Sequence, residues 1–168
     1  MNTNHKLEYY QIVYEVLENY EFQKRKKYKH HGDISVYHHS LKVSKLGFKI
    51  AKILNLNHKN IAIAGLLHDF YNNPWQENKE KKKILEKHGF THASEALENS
   101  KLYFPHLMNN KIENSIERHM FPLNKIPPKC SEAWVITLAD KIISIEDLFK
   151  TRNISTVIGL KIKFRKEI

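Results

Sequence analysis

Imidazole and carboxylate side chains stand in this chain where its apolar patterns lead one to expect hydrophobic residues. His39, His68, His119 and Asp140 fall on or at the end of apolar stripes, Asp69 adjoins His68, and His92 stands just inside an expected helix start. The sharpest instance is Ile61-Ala62-Ile63-Ala64-Gly65-Leu66-Leu67, an unbroken apolar run that ends in His68-Asp69. Burying such a pair without compensation costs several kcal/mol, and a cation is the simplest compensation. Imidazole suits Zn, Fe, Ni and the related Co, and carboxylate oxygens extend the range to Mn or Mg. A histidine alone on an apolar face is usually a satisfied core residue, so the joint occurrence of six such groups carries the expectation of a metal site.

The elements that must position these groups read as helices. Apolar and aromatic residues at helical spacing (Leu7, Tyr10, Val13, Tyr14, Leu17) predict a helix from Leu7 to about Tyr28, broken by His31-Gly32-Asp33. Asp33 or Ser35 can cap a second helix to about Leu54, with His39, Val43, Leu46, Ile50 and Ile53/Leu54 as its core stripe. The run Ile61–Phe70 follows as buried helix or strand and stops before Asn73-Pro74, where proline disfavours helix. Gln76 to Lys87 reads as a charged stretch ending at His88-Gly89, after which Thr91 is expected to cap a helix carrying His92, Ala93, Ala96 and Leu97 until Pro105. Ile112 and Ile116 lead to His119, and a last helix from about Ser131 to Lys150 sets Ala133, Ile136, Thr137, Asp140, Ile143 and Ser144 on one face. Val157 to Leu160 could be a short strand or a frayed helix. The expectation is an all-α chain with little or no sheet.

Composition narrows the class. At 168 residues the chain reads as one domain over 1–168. Cys130 is the sole cysteine, which excludes a disulfide within the chain and a cysteine-based structural zinc site. No apolar run reaches membrane-spanning length, and the first residues lead into no signal-type segment, so a cytoplasmic protein without membrane partners is expected. The net charge of +10 lies in lysine blocks such as Lys24–Lys27 and Lys79–Lys83, which read as solvated surface before nucleic-acid contact. Eleven histidines reinforce the metal expectation.

The segments Tyr37-His38-His39-Ser40-Leu41-Lys42-Val43, Gly65-Leu66-Leu67-His68-Asp69, His92-Ala93, Ile116-Glu117-Arg118-His119 and Leu138-Ala139-Asp140-Lys141 resemble, in this order, the HD-domain superfamily of metal-dependent phosphohydrolases. The likeness covers a core of about 35–148, leaving a basic N-terminal helix and a C-terminal tail appended. It implies an all-helical bundle that cleaves phosphate esters or anhydrides. By position, His39, His68, Asp69 and Asp140 would hold one metal. The extra histidines look like the two-metal subgroup that includes hydrolases of dinucleoside polyphosphates, in which Asp69 would bridge to an ion held also by His92 and His119. The cofactor would then be Fe, Mn, Zn, Ni or Co, one or two per chain, and the partner a small phosphorylated substrate, a nucleotide above all. Asp69 and Lys42 are the expected catalytic residues, Lys42 because it lies three residues after His39 and shares its helix face. Arg118 and Lys141 adjoin ligands but point about 100° away, and His31 and His38 are further candidates behind the ligands or on substrate. Many relatives carry Lys or Glu three residues past the His-Asp pair, whereas this chain has Asn72, which carries no charge and moves no proton. Two rival readings follow: a non-catalytic metal- and nucleotide-binding regulatory domain, and a basic nucleic-acid-binding protein.

Overall fold

The computed structural model describes residues 3–31, 34–72 and 81–151. Asp33, Pro74 and Val157–Leu160 lie outside them, and so does the side chain of His31. The chain is all-α, with a two-stranded ribbon as its sole sheet among the described residues. Its helices are α1 (Thr3–Glu18), α2 (Tyr20–Gln23), α3 (Val36–Ile53), α4 (His58–Leu67), α5 (Lys81–Tyr103), α6 (Asn110–Arg118) and α7 (Ser131–Thr151). Strands β1 (Lys29–His31) and β2 (Ile34–Ser35) pair antiparallel just before α3. No helix among the described residues is long and apolar enough to cross a membrane.

The apolar run resolves as helix, and α4 is the axis of the fold. Every residue from Ile61 to Leu67 is buried, as a helix apolar on all sides must be. It touches α1, α3, α5, α6 and α7. Tyr9, Val13, Val16 and Leu17 reach it from α1, Phe48 and Ala51 from α3, Ile112 and Ile116 from α6, and Ile136 from α7. The approach of α3 is closest, because Gly65 lies directly against Ser44. A Cβ added to Gly65 would stand 2.6 Å from Ser44 Cα. Ser44 Oγ donates to the Ala62 carbonyl at 2.6 Å and accepts from the Tyr9 hydroxyl at 2.8 Å, so this dry contact leaves no hydroxyl unsatisfied.

Four expectations are corrected. The first helix ends at Glu18 rather than near Tyr28, since Asn19 turns out of the helix and its side chain accepts from Glu21 N and Phe22 N to start α2. On α1, Tyr9 and Val16 join Val13 and Leu17 inside, while Leu7, Tyr10 and Tyr14 are exposed. On α3, Ile53 and Leu54 are exposed, and the inner face is His39, Ser40, Val43, Ser44, Gly47, Phe48 and Ala51. Small side chains on that face admit α4, whose bulk then fills the core. Finally, α5 begins at Lys81 and runs through Gly89, so Thr91 stands inside a helix rather than at the start of one. A glycine inside a helix costs about 1 kcal/mol, which the surrounding Lys, Leu and Glu residues, good helix formers, can absorb.

Candidate metal centre

The ends of helices aim the site. Ser35 caps α3, accepting from His38 N, and places His39 in the first turn. His68 and His119 are the C-cap residues of α4 and α6, where unpaired carbonyls favour a cation nearby. His92 and Asp140 come from the interiors of α5 and α7. All six expected ligands converge and are buried. His39 Nε2 stands 3.1 Å from Asp140 Oδ1, and His68 Nε2 stands 3.7 Å from the same oxygen and 3.5 Å from Asp69 Oδ2. Asp69 Oδ1 turns the other way, 3.6 Å from both His92 Nε2 and His119 Nε2, which are themselves 3.2 Å apart.

The 3.1 Å His39–Asp140 and 3.2 Å His92–His119 pairs are hydrogen bonds, whereas the 3.5–3.7 Å separations around His68 and Asp69 are too long for hydrogen bonds and are of the order that ligands of one ion define. Two donors at about 2.0–2.1 Å from a shared ion stand about 3.0 Å apart at a right angle and about 3.4 Å apart at the tetrahedral angle. His68 Nδ1–H donates to the Gly65 carbonyl at 2.9 Å and His119 Nδ1–H to the Ile116 carbonyl at 2.7 Å. Each bond fixes the ring so that Nε2 faces the cluster. His68 Nε2 is fully buried and has no hydrogen-bond partner among the described residues, an orphaned polar atom that a bound ion would satisfy.

Electrostatics favour a cation at the two carboxyls and at His119, whereas an ion at His39 and His68 would have to displace the protons that their raised pKa values retain. Burial alone would raise the pKa values of Asp69 and Asp140. The surrounding imidazoles instead hold both carboxyls well below the usual range, His68 and His30 for Asp69, His39 and His68 for Asp140. For His119, burial and the neighbouring His68 and His92 push the imidazole down to about 3, leaving its Nε2 lone pair available. His39 goes up to about 9: burial works against its charge, but hydrogen bonds to Asp140 and Asp147 outweigh it.

The remaining candidates are placed as follows. Lys42 lies on the His39 side of α3, and its ammonium pairs with Asp147 Oδ1. Lys141 bends round to donate to the His119 carbonyl at 3.2 Å and comes 3.9 Å from Asp140 Oδ2. Arg118 pairs with Glu117, and His38 is exposed, its Nδ1 against Ser35 Oγ. Asn72 is a junction: its N–H donates to Glu95, its amide nitrogen to Asn99, and its carbonyl accepts from buried Arg25. Two residues at the site escaped the sequence reading. Asp147, which faces His39 Nδ1, follows Asp140 by seven residues and so shares its face of α7, a spacing that could have revealed it. His30, on β1, lies 3.3 Å from Asp69 and has no periodic signal at all.

The family model described as HD domain matches residues 36–144, well over half of the chain. No curated protein and no solved structure matches it.

Proposed function

The chain belongs to the HD-domain family, and from that premise we propose that it is a metal-dependent phosphohydrolase. Its substrate is a phosphoester or phosphoanhydride of a nucleotide or another small phosphorylated metabolite. The observation that carries the reading is the split of Asp69, whose Oδ2 faces His68 while Oδ1 faces His92 and His119. His39, His68, Asp69 and Asp140 hold a first divalent ion in this reading, and Asp69, His92 and His119 a second. The donor set suits Fe, Mn, Zn, Ni or Co. A divalent ion there supplies Lewis acidity toward phosphoryl oxygens and a water that ionises near neutral pH. The chain's own residues do the rest. Asp147 holds the His39 ring from behind and is itself paired with Lys42, Lys141 beside Asp140 brings positive charge for the phosphate, and the buried walls of α4 and α6 exclude bulk water.

A second reading rests on Asn72. Its three hydrogen bonds commit it to structure, so the position that bears a charged group in many relatives moves no proton here. That favours a regulatory domain that binds metal and nucleotide without turnover. Elemental analysis of the purified protein, with phosphate release from a panel of nucleotides and phosphomonoesters, separates the two. Expected are one or two metals per chain, activity abolished by chelator, and an inactive His68→Ala protein of unchanged helicity. Metal without turnover across the panel transfers the assignment to the regulatory reading, and full activity in His68→Ala sinks the phosphohydrolase.

A further inference from the structure

Helix α7 is apolar on two sides. Its inner side, with Ala133, Ile136, Ala139 and Ile143, packs against α3, α4 and α6, and from there Asp140 and Asp147 reach His39. On the other side Trp134, Leu138, Ile142, Ile145 and Phe149 follow one another at steps of four, four, three and four, each between 42 % and 55 % exposed. That spacing keeps all five on one stripe, about 22 Å long. Lys141 lies at its edge and turns its ammonium aside to the His119 carbonyl. A single exposed Leu or Ile is ordinary, but a continuous outward stripe on a helix that already buries its inner face marks a surface with a partner. At about 200 Å2 for a fully exposed large apolar residue, the stripe with neighbouring Leu148 leaves about 600 Å2 uncovered. Phe121 meets Trp134 edge to face at 5.4 Å, and half-exposed Leu123 and Ile126 on the same loop bring the area to about 800 Å2. The largest apolar patch on a monomer is about 300–600 Å2, whereas one side of a standard interface is about 800 Å2.

We propose that this face docks on the same face of a second copy of the chain, the two α7 helices running antiparallel about a two-fold axis at Ile142. The order of the side chains singles out this occupant. Outward from Ile142, an aliphatic residue comes first on each side (Leu138, Ile145) and an aromatic residue last (Trp134, Phe149). Antiparallel pairing therefore sets Trp134 of one copy against Phe149 of the other and Leu138 against Ile145, while Ile142 meets itself. One stripe then serves as both halves of an isologous interface. Steps of three and four are those of helices packed side by side at a shallow crossing angle, and the aromatic residues at the two ends are the natural anchors. Asp140 and Asp147 stay on the far side of α7, so each copy keeps its own cluster and the inference does not depend on the phosphohydrolase reading.

Sedimentation equilibrium of the full chain in the micromolar range tests the assignment. The expected particle has twice the 19.9 kDa mass of the chain. Leu138→Glu and Ile145→Glu each bury a charge from both copies beside the axis, and each should raise the dimer dissociation constant by ~30-fold or more at unchanged helicity. In Ile142→Cys the two introduced thiols face each other across the axis. Mild oxidation should then yield a disulfide-linked dimer that the wild type, with Cys130 alone, does not form. A dimer indifferent to both glutamates would overturn the proposal by placing the interface elsewhere. A glutamate-sensitive dimer with no cross-link in Ile142→Cys would overturn the antiparallel register. A monomeric wild type overturns the second copy outright, and a lower melting temperature in Leu138→Glu would in that case hand the face to residues 152–168 of the same chain.

Discussion

Asp147 Oδ2 lies 3.3 Å from His39 Nδ1, on the side of the ring away from Asp140. A carboxylate behind a ligating imidazole fixes its orientation and raises its basicity, and loss of such a partner typically costs 10–100-fold in metal affinity. Asp147→Asn keeps the shape and removes the charge, and also releases Lys42 from its ion pair. Metal affinity measured by chelator competition should fall by about 10–100-fold while helicity is unchanged. An unaltered affinity would show that Asp147 serves only Lys42.

Removing metal should soften the whole bundle. The cluster joins α3, α4, α5, α6 and α7, so an ion bound there binds the folded chain in preference to the unfolded one. At an ion concentration of about 100 times Kd the gain is about 2.7 kcal/mol. For a chain of this size that corresponds to roughly 5–10 °C in Tm. Differential scanning calorimetry with chelator, then with ion restored, should show that fall and its recovery.

Arg25 is buried at 1 % exposure with no carboxylate on its guanidinium in the described structure. It donates to the Glu21 carbonyl at 2.6 Å and to Asn72 Oδ1 at 2.7 Å, and its charge lies 4.2 Å over the Phe70 ring. It pins the turn that follows His68-Asp69 to the N-terminal segment. Arg25→Met keeps the apolar bulk and loses both donors, and should cost about 2–4 kcal/mol in urea unfolding. Metal bound per folded chain should stay the same, which separates this structural role from a ligand's.

Alkaline pH should destabilise the fold through Tyr9. Burial pushes its hydroxyl well above the ordinary value, and the hydrogen bond to Ser44 offsets only part of that. An unfolded tyrosine loses its proton near pH ~10. Above that pH the folded chain therefore binds more protons than the unfolded one, and stability falls as pH rises, by up to ~1.4 kcal/mol per unit for each such group. Tyr71, also buried and raised, adds a second share. Urea midpoints between pH 9 and pH 11 should fall less steeply in Tyr9→Phe than in wild type.

How far the sequence could be read follows from what each residue contributes to a pattern. His68-Asp69 stood out because a charged pair closed an apolar run, and His39, His119 and Asp140 because they kept helical step with apolar neighbours. Other features are silent in hydrophobicity. Ser40, Ser44 and Gly47 define the inner face of α3 by being small, so hydrophobic periodicity points instead to Ile53 and Leu54, which are exposed. Asn19 breaks α1 through a hydrogen bond of its side chain, and Gly89 fails to break α5. His30 reaches Asp69 only because a short ribbon folds back on the bundle, a tertiary fact with no local signature.

The contact of Gly65 with Ser44 sets backbone against backbone three residues before His68 and five after His39. The calibre of the proposed ion seat is therefore inherited from a residue that has no side chain. Metal–oxygen distances separate Mg from Ca by only about 0.3–0.5 Å, so a seat of this kind discriminates by size through the distance between its walls. A methyl group at Gly65 would act as a wedge between those walls, and in Gly65→Ala, competition between manganese and calcium should drift toward the larger ion.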